Sequence, residues 1–278
     1  MKLAVNVGSV GDGTLNGCIN YCKDLEVEGV VLTAAAVPGY QETRMLDATA
    51  LKDQVVAVQD AGLSTGTMQY WPPYPIADEA QAEAALSTLT RNMDAAAEAG
   101  IHVLAMFTSL NKPVDPADEG AEWDKLIRFY TKLTSEAEQR NLKIAAHFSG
   151  HRGRSLLAGS EAYRRLFEAV PSPSNGLTFC VGNAWVSDGE RTYNVMREFA
   201  DRIFFYHMRS TKISWGESPY WWDIPDGPDI PQVFRVLKEI GYEGFVASEH
   251  MPDIRGENRH DISTAWGIGY MKAILQQM

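Results

Sequence analysis

The sequence predicts an α/β chain folded as a single (β/α)8 TIM barrel over residues 1–278. Three observations predict it. Short apolar runs of strand length alternate with segments of helical period, and eight such strand-helix units can be counted. Three helical segments end on one device, Ala61-Gly62-Leu63, Ala99-Gly100-Ile101 and Ile240-Gly241-Tyr242, in which glycine closes the helix and the following residues open a buried strand. Four strand-like runs in the second half each finish on a residue that binds metal well, at intervals of about 30 to 40 residues, enough for one strand plus one helix.

Taken in order, Leu3 to Val7 reads as the first strand and Thr14 as the N-cap of the helix that follows. Cys18 and Cys22, four apart in that helix, are expected on one buried face. Glu28 to Thr33 is the second strand. Ala48 to Ala61 places Leu51, Val55 and Val58 at helical period and stops at Gly62. Leu63 to Tyr70 is the third strand, and the run Tyr70-Trp-Pro-Pro-Tyr-Pro75 is too rich in proline for any regular element. Asp78 to Ala99 forms an Ala-rich helix, Ile101 to Phe107 the fourth strand, and Glu119 to Arg140 the next helix. The fifth strand ends at His147, a helix covers Ser160 to Ala169, the sixth strand ends at Cys180 and the seventh at His207. Ile230 to Ile240 is helical, the eighth strand reaches Glu249, and Ile262 to Gln276 closes the chain.

Composition supports a folded chain with a sizeable core: 45% of residues are hydrophobic and 22% charged. The formal charge of −11 argues against nucleic acid or an anionic membrane surface as partner, since both call for a basic face. Three cysteines make no disulfide framework, which points to a reducing, cytoplasmic setting. The N-terminus is expected to enter a strand directly, without a signal-peptide pattern, and no apolar run reaches membrane-spanning length.

The four terminal residues of the later strands, His147, Cys180, His207 and Glu249, carry the functional reading. A cysteine in an apolar strand is more often a small core residue, and a histidine at a strand end is often only hydrogen-bonded. Four ligand-competent residues closing four successive strands are hard to obtain by chance. In a barrel all strand C-termini meet at one mouth, so these residues would ring one site. Two imidazoles, a thiolate and a carboxylate suit one divalent transition metal, Mn²⁺, Fe²⁺, Co²⁺ or Zn²⁺, rather than Ca²⁺ or Mg²⁺.

The segments Ser172 to Gly182, Phe199 to Lys212 and Asp229 to Gly244 resemble the D-mannonate dehydratase family, and the same register extends more weakly toward the N-terminus. The resemblance implies a xylose-isomerase-like barrel that dehydrates D-mannonate to 2-keto-3-deoxygluconate at a divalent metal, usually Mn²⁺. It lays the family's His, Cys, His and carboxylate ligands on His147, Cys180, His207 and Glu249, with Glu in place of Asp. It further implies proton transfer by His250 and substrate binding by Arg209 and Arg154. Two motifs depart from the family: His147-Phe-Ser-Gly-His151 follows the fifth strand, and the late tyrosine-bearing segment has no tyrosine here.

Dehydration of a hydroxy acid needs a base for the proton beside the carbonyl and an acid for the departing hydroxide. His250 suits either task, and His151, Tyr70 and His260 are the candidates for the other; His260 has the competing role of starting the last helix. Arg154 or Arg209 can hold a carboxylate, and Asn183 joins them as a substrate-binding candidate. Trp71 and Trp185 can stack on sugar faces, as can Trp215, Trp221 and Trp222, unless they only pack the loops. The partner expected is thus a small sugar acid or sugar, with a homo-oligomer, dimer or tetramer, expected by analogy with the fold. The rivals are a sugar isomerase or 3-epimerase, a keto-sugar or glycoside lyase on the same metal barrel, and a non-catalytic sugar-binding barrel with a structural metal. Two-base relatives use two glutamates, and the first of those positions here is His147, which favours elimination.

Overall fold

The computed structural model describes residues 1–70, 79–106, 115, 117–150, 156–211, 221–256 and 258–278. Eight parallel strands close into a barrel in sequence order: Lys2–Asn6 (β1), Gly29–Thr33 (β2), Thr67–Tyr70 (β3), Val103–Met106 (β4), Lys143–His147 (β5), Asn175–Cys180 (β6), Ile203–Met208 (β7) and Phe245–Ser248 (β8), which pairs back onto β1. Around them lie Leu15–Asp24 (α1), Tyr40–Thr43 (α2), Ala48–Asp60 (α3), Glu79–Glu98 (α4), Glu119–Glu138 (α5), Ser160–Ala169 (α6), Val181–Asp188 (α7), Thr192–Glu198 (α8), Ile230–Glu239 (α9) and Asp261–Leu275 (α10). No helix among the described residues is long and apolar enough to cross a membrane.

Local chemistry explains where these helices start and stop. Thr14 caps α1 by accepting from Gly17 N, Asp47 caps α3 through Ala50 N, and Asp229 caps α9 through Gln232 N. The three expected glycine stops all carry positive φ, 79° at Gly62, 88° at Gly100 and 67° at Gly241, a conformation that disfavours any side chain. Cys18 and Cys22 lie fully buried on one face of α1, with their sulfurs turned to Val5 O and Gly29 O. They are core residues, as the helical spacing indicates.

Strand alternation splits the core in two. Leu3, Val5, Leu32, Met68, Leu104, Ile144, Phe179 and Tyr206 face outward and pack under the helices. Ala4, Val31, Ala105, Ala145, Phe205 and Ala247 face inward and fill the barrel's waist with mostly small side chains. Below them, Gly29 and Gly176 make room for rings that close the floor. A Cβ at Gly29 would collide with Phe245, and one at Gly176 with Phe204 and the Arg202 carbonyl. A register irregularity between β6 and β7 accompanies this crowding of Phe204 and Phe205.

Several expectations shift. The third strand begins at Thr67 rather than Leu63, because Gly66 (φ 142°) breaks the extended run and only an isolated bridge, Gly29 to Ser64, precedes it. The fourth starts at Val103, and its expected last residue, Phe107, lies outside the described residues. The seventh continues one residue past His207. The eighth stops at Ser248, yet Glu249 N still donates to Met208 O at 3.0 Å, so Glu249 stays tied to the strand frame. The connection from β6 to β7 holds two helices, α7 and α8, instead of one. Asp188 links α7 to α6: its carboxylate accepts from Ser160 N (3.2 Å), Ser160 Oγ (2.6 Å) and Ser187 Oγ (2.7 Å).

The crowded floor yields a stability prediction. Gly176→Ala should destabilise the chain by about 1–3 kcal/mol through overpacking against Phe204. Chemical denaturation measures it, and an unchanged midpoint would show that the floor is looser than the contacts indicate.

Candidate metal centre

Alternation also decides which side chains reach the mouth. One step above the waist, the inward positions are Asn6 on β1, Thr33 on β2, Gln69 on β3, His147 on β5, Cys180 on β6, His207 on β7 and Glu249 just beyond β8. The first three are neutral polar groups. The last four are metal-binding types, and one ligand atom from each lies within 4.8 Å of those of the others.

Each of the four is held by its surroundings. The His147 carbonyl accepts from the Tyr163 hydroxyl of α6 at 2.6 Å, which anchors the end of β5. Cys180 is both the end of β6 and the N-cap residue of α7. His207 is fully buried, with its ring edge-on to Phe205 at 4.7 Å and 5.1 Å from the ring of His147. Glu249 Oε2 is the common neighbour, 2.7 Å from His207 Nδ1, 3.5 Å from His147 Nε2 and 3.6 Å from Cys180 Sγ. Four ligands at the usual 2.0–2.3 Å from one tetrahedral ion stand roughly 3.3–3.8 Å apart. The spacings around Glu249, 2.7–3.6 Å, and the 4.8 Å limit across the set bracket that range, and the donor types match a small divalent ion.

Burial and mutual charge shape the protonation of the metal-free cluster. Burial alone would lower the pKa of His147, but the Glu249 carboxylate and the Cys180 sulfur outweigh it and lift the ring to about 10. For His207 burial prevails, and with the positive charge of His147 and His250 nearby it holds the ring below the ordinary histidine value. Burial would raise the Glu249 carboxyl, yet His207 and His147 overcome that and hold it well below the usual carboxylate range. A proton and a divalent ion would compete for the same lone pairs of these side chains.

The remaining candidates divide. His250 directly follows Glu249, holds a left-handed φ of 47°, sits with Nε2 3.8 Å from Glu249 Oε1 and has a side chain 54% exposed. His260 occupies the N-cap position of α10 with Nδ1 3.7 Å from Asp253 Oδ1. Tyr70, expected as an acid or base, is corrected by its register: its neighbour Gln69 faces inward, so Tyr70 turns outward, where its buried hydroxyl accepts from Asn92 Nδ2 at 2.5 Å. Burial pushes that phenol far above its ordinary pKa, away from any proton-transfer role near neutrality. Asn183 and Arg209 are brought together, Arg209 Nη1 donating to Asn183 Oδ1 at 3.0 Å while Asn183 Nδ2 donates to Phe148 O at 2.9 Å. The Asn183 amide thus makes one hydrogen bond at each end within the protein. Trp185 is 8% exposed and donates its indole N–H to Asp226 O, while Trp221 and Trp222 pack edge-on against Trp266 of α10. Trp71, His151, Arg154 and Trp215 lie outside the described residues.

Gln69 was not among the sequence candidates, although its amide comes within 3.4 Å of His207 Nε2. Asn6 was also missed: its Oδ1 is buried with no hydrogen-bond partner among the described residues. Both follow from inward parity on β1 and β3, which requires the register to be known.

The family model of the xylose isomerase-like TIM barrel matches residues 18–270, and the chain belongs to that family. Among curated proteins it is similar to the mannonate dehydratase of Thermotoga petrophila, 29% identical over 150 residues, covering 50% of this chain and 42% of that relative. The mannonate dehydratase of Streptococcus agalactiae is 30% identical over 151 residues, covering 50% and 43%. The matches thus span less than half the length of these relatives. Among solved structures, a mannonate dehydratase from Streptococcus suis serotype 2 has a TM-score of 0.78 at 19% identity, covering 100% of this chain and 94% of that one. A D-psicose 3-epimerase reaches 0.77 at 14%, covering 99% of each. At such identities the structural likeness speaks for the fold alone.

The four-residue geometry sets a direct expectation. The chain purified without added metal and then loaded should hold about one equivalent of divalent ion, measured by elemental analysis, and His147→Ala or Cys180→Ala should abolish retention. Full retention by both variants would remove the cluster as the binding site.

Proposed function

We propose that the chain is a metal-dependent sugar-acid dehydratase, a hydro-lyase that eliminates water from D-mannonate or a related hydroxy acid to give a 2-keto-3-deoxy acid. The convergence of His147, Cys180, His207 and Glu249 at the barrel mouth carries this reading, and the mannonate dehydratases among its relatives supply the substrate class. A divalent ion bound by those four residues supplies Lewis acidity toward a carbonyl or carboxylate oxygen. Mn²⁺ is the first ion to test, followed by Fe²⁺, Co²⁺ and Zn²⁺. A reducing compartment suits Cys180, which ligates as the thiolate.

The chain's own residues have separate tasks. A base removes the proton from the carbon beside the carboxylate, an acid protonates the hydroxyl leaving the next carbon, and the resulting enol becomes the ketone. His250, half exposed beside Glu249, holds or delivers one of these protons. His151 is the candidate for the other. Asn6 Oδ1, buried and without a partner among the described residues, offers an acceptor to a substrate hydroxyl from the opposite wall.

Epimerisation is the second reading, since a D-psicose 3-epimerase is built on the same fold. It calls for two opposed bases, and the inner mouth layer, as described, holds a single carboxylate, Glu249. An assay for 2-keto-3-deoxy acid from D-mannonate, with and without chelator, separates the two. The expected result is chelator-sensitive product, with His250→Gln lowering kcat about 10²- to 10⁴-fold. Turnover of ketohexoses and none of sugar acids would replace dehydration with epimerisation.

A further inference from the structure

Gln69 sits at the inward end of β3 and meets His207 from the opposite side to Glu249. Its amide lies 3.4 Å from His207 Nε2, while Nδ1 of the same ring faces Glu249 Oε2 at 2.7 Å, where the ligand atoms converge. His207 is fully buried. An imidazole that gives its Nδ1 lone pair to an ion carries its one proton on Nε2, and a buried N–H needs an acceptor.

We infer that Gln69 is a positioning residue for the metal centre: its amide oxygen accepts from His207 Nε2–H and so fixes the ring tautomer that leaves Nδ1 free to ligate. In the structure the amide nitrogen faces the ring, which suits a ring whose Nδ1 holds the proton toward Glu249. A half-turn of the amide exchanges nitrogen for oxygen in nearly the same volume. Glutamine therefore serves the ring both before and after ligation, which an ionised carboxylate, able only to accept, does not. It also leaves the site's charge at zero, since Glu249 and the Cys180 thiolate already balance a divalent ion.

The inference rests on the reading that the four residues hold a metal, and its test separates the two. Co²⁺ alone is titrated into metal-free wild type, Gln69→Leu, Gln69→Ala and Gln69→Glu, with affinity measured by chelator competition. Exchangeable ring N–H resonances of the Co²⁺-loaded chains are followed by paramagnetic proton NMR. The acceptor-free Leu and Ala variants should bind Co²⁺ about 10- to 100-fold more weakly. They should lose one exchangeable resonance to solvent, while the metal-free Leu variant unfolds at the wild-type temperature. Gln69→Glu should restore both affinity and resonance. Wild-type affinity with an unchanged resonance in the Leu and Ala variants would overturn the role of Gln69 alone. So would a loss that Gln69→Glu fails to rescue, because shape and not an acceptor would then matter. Failure of the wild-type chain to bind Co²⁺ would overturn the metal reading and this inference with it.

Discussion

Closure of eight parallel strands into one ring is the constraint on which the rest depends. Once β8 pairs with β1, each residue's parity is fixed, and every second side chain must fit a narrow interior. The interior is solved in layers. Phenylalanines seated over Gly29 and Gly176 close the floor, alanines fill the waist, and polar groups crown the top. Residues far apart in the chain thereby share one site on a frame of strand backbone, which holds ligands more tightly than loops do.

The crown is asymmetric. Strands β5 to β8 supply two imidazoles, a thiol and a carboxylate, whereas β1 to β3 supply Asn6, Thr33 and Gln69. A buried carboxylate is costly unless a positive charge is at hand. The His147 ring beside Glu249, its pKa raised by that carboxylate, answers the need in part. A divalent ion held there would meet it fully, and the neutral wall opposite would add hydrogen-bonding groups without adding charge.

Much of this was legible in the sequence, for physical reasons. A strand end carrying His, Cys or Glu is chemically conspicuous, and barrel topology guarantees that such ends meet, so the cluster of four candidate ligands is legible in the sequence. Helix ends marked by Gly62, Gly100 and Gly241 were legible because positive φ nearly demands glycine. The failures have one root. Tyr70 and Gln69 are adjacent, and a single step of parity sends one outward to Asn92 and the other to His207. Composition marks both as polar and cannot say which faces in. The Asn183–Arg209 bond and the paired helices after Cys180 likewise depend on packing between segments, which local pattern does not encode.

The central claim is that one divalent ion is held by two histidines, Cys180 and Glu249. X-ray absorption spectroscopy of the metal-loaded chain tests it most directly. The account predicts one sulfur at about 2.3 Å together with nitrogen and oxygen ligands near 2.0–2.2 Å and the multiple scattering of two imidazoles. A shell of oxygen and nitrogen without sulfur, or one unchanged in Cys180→Ser, would contradict it.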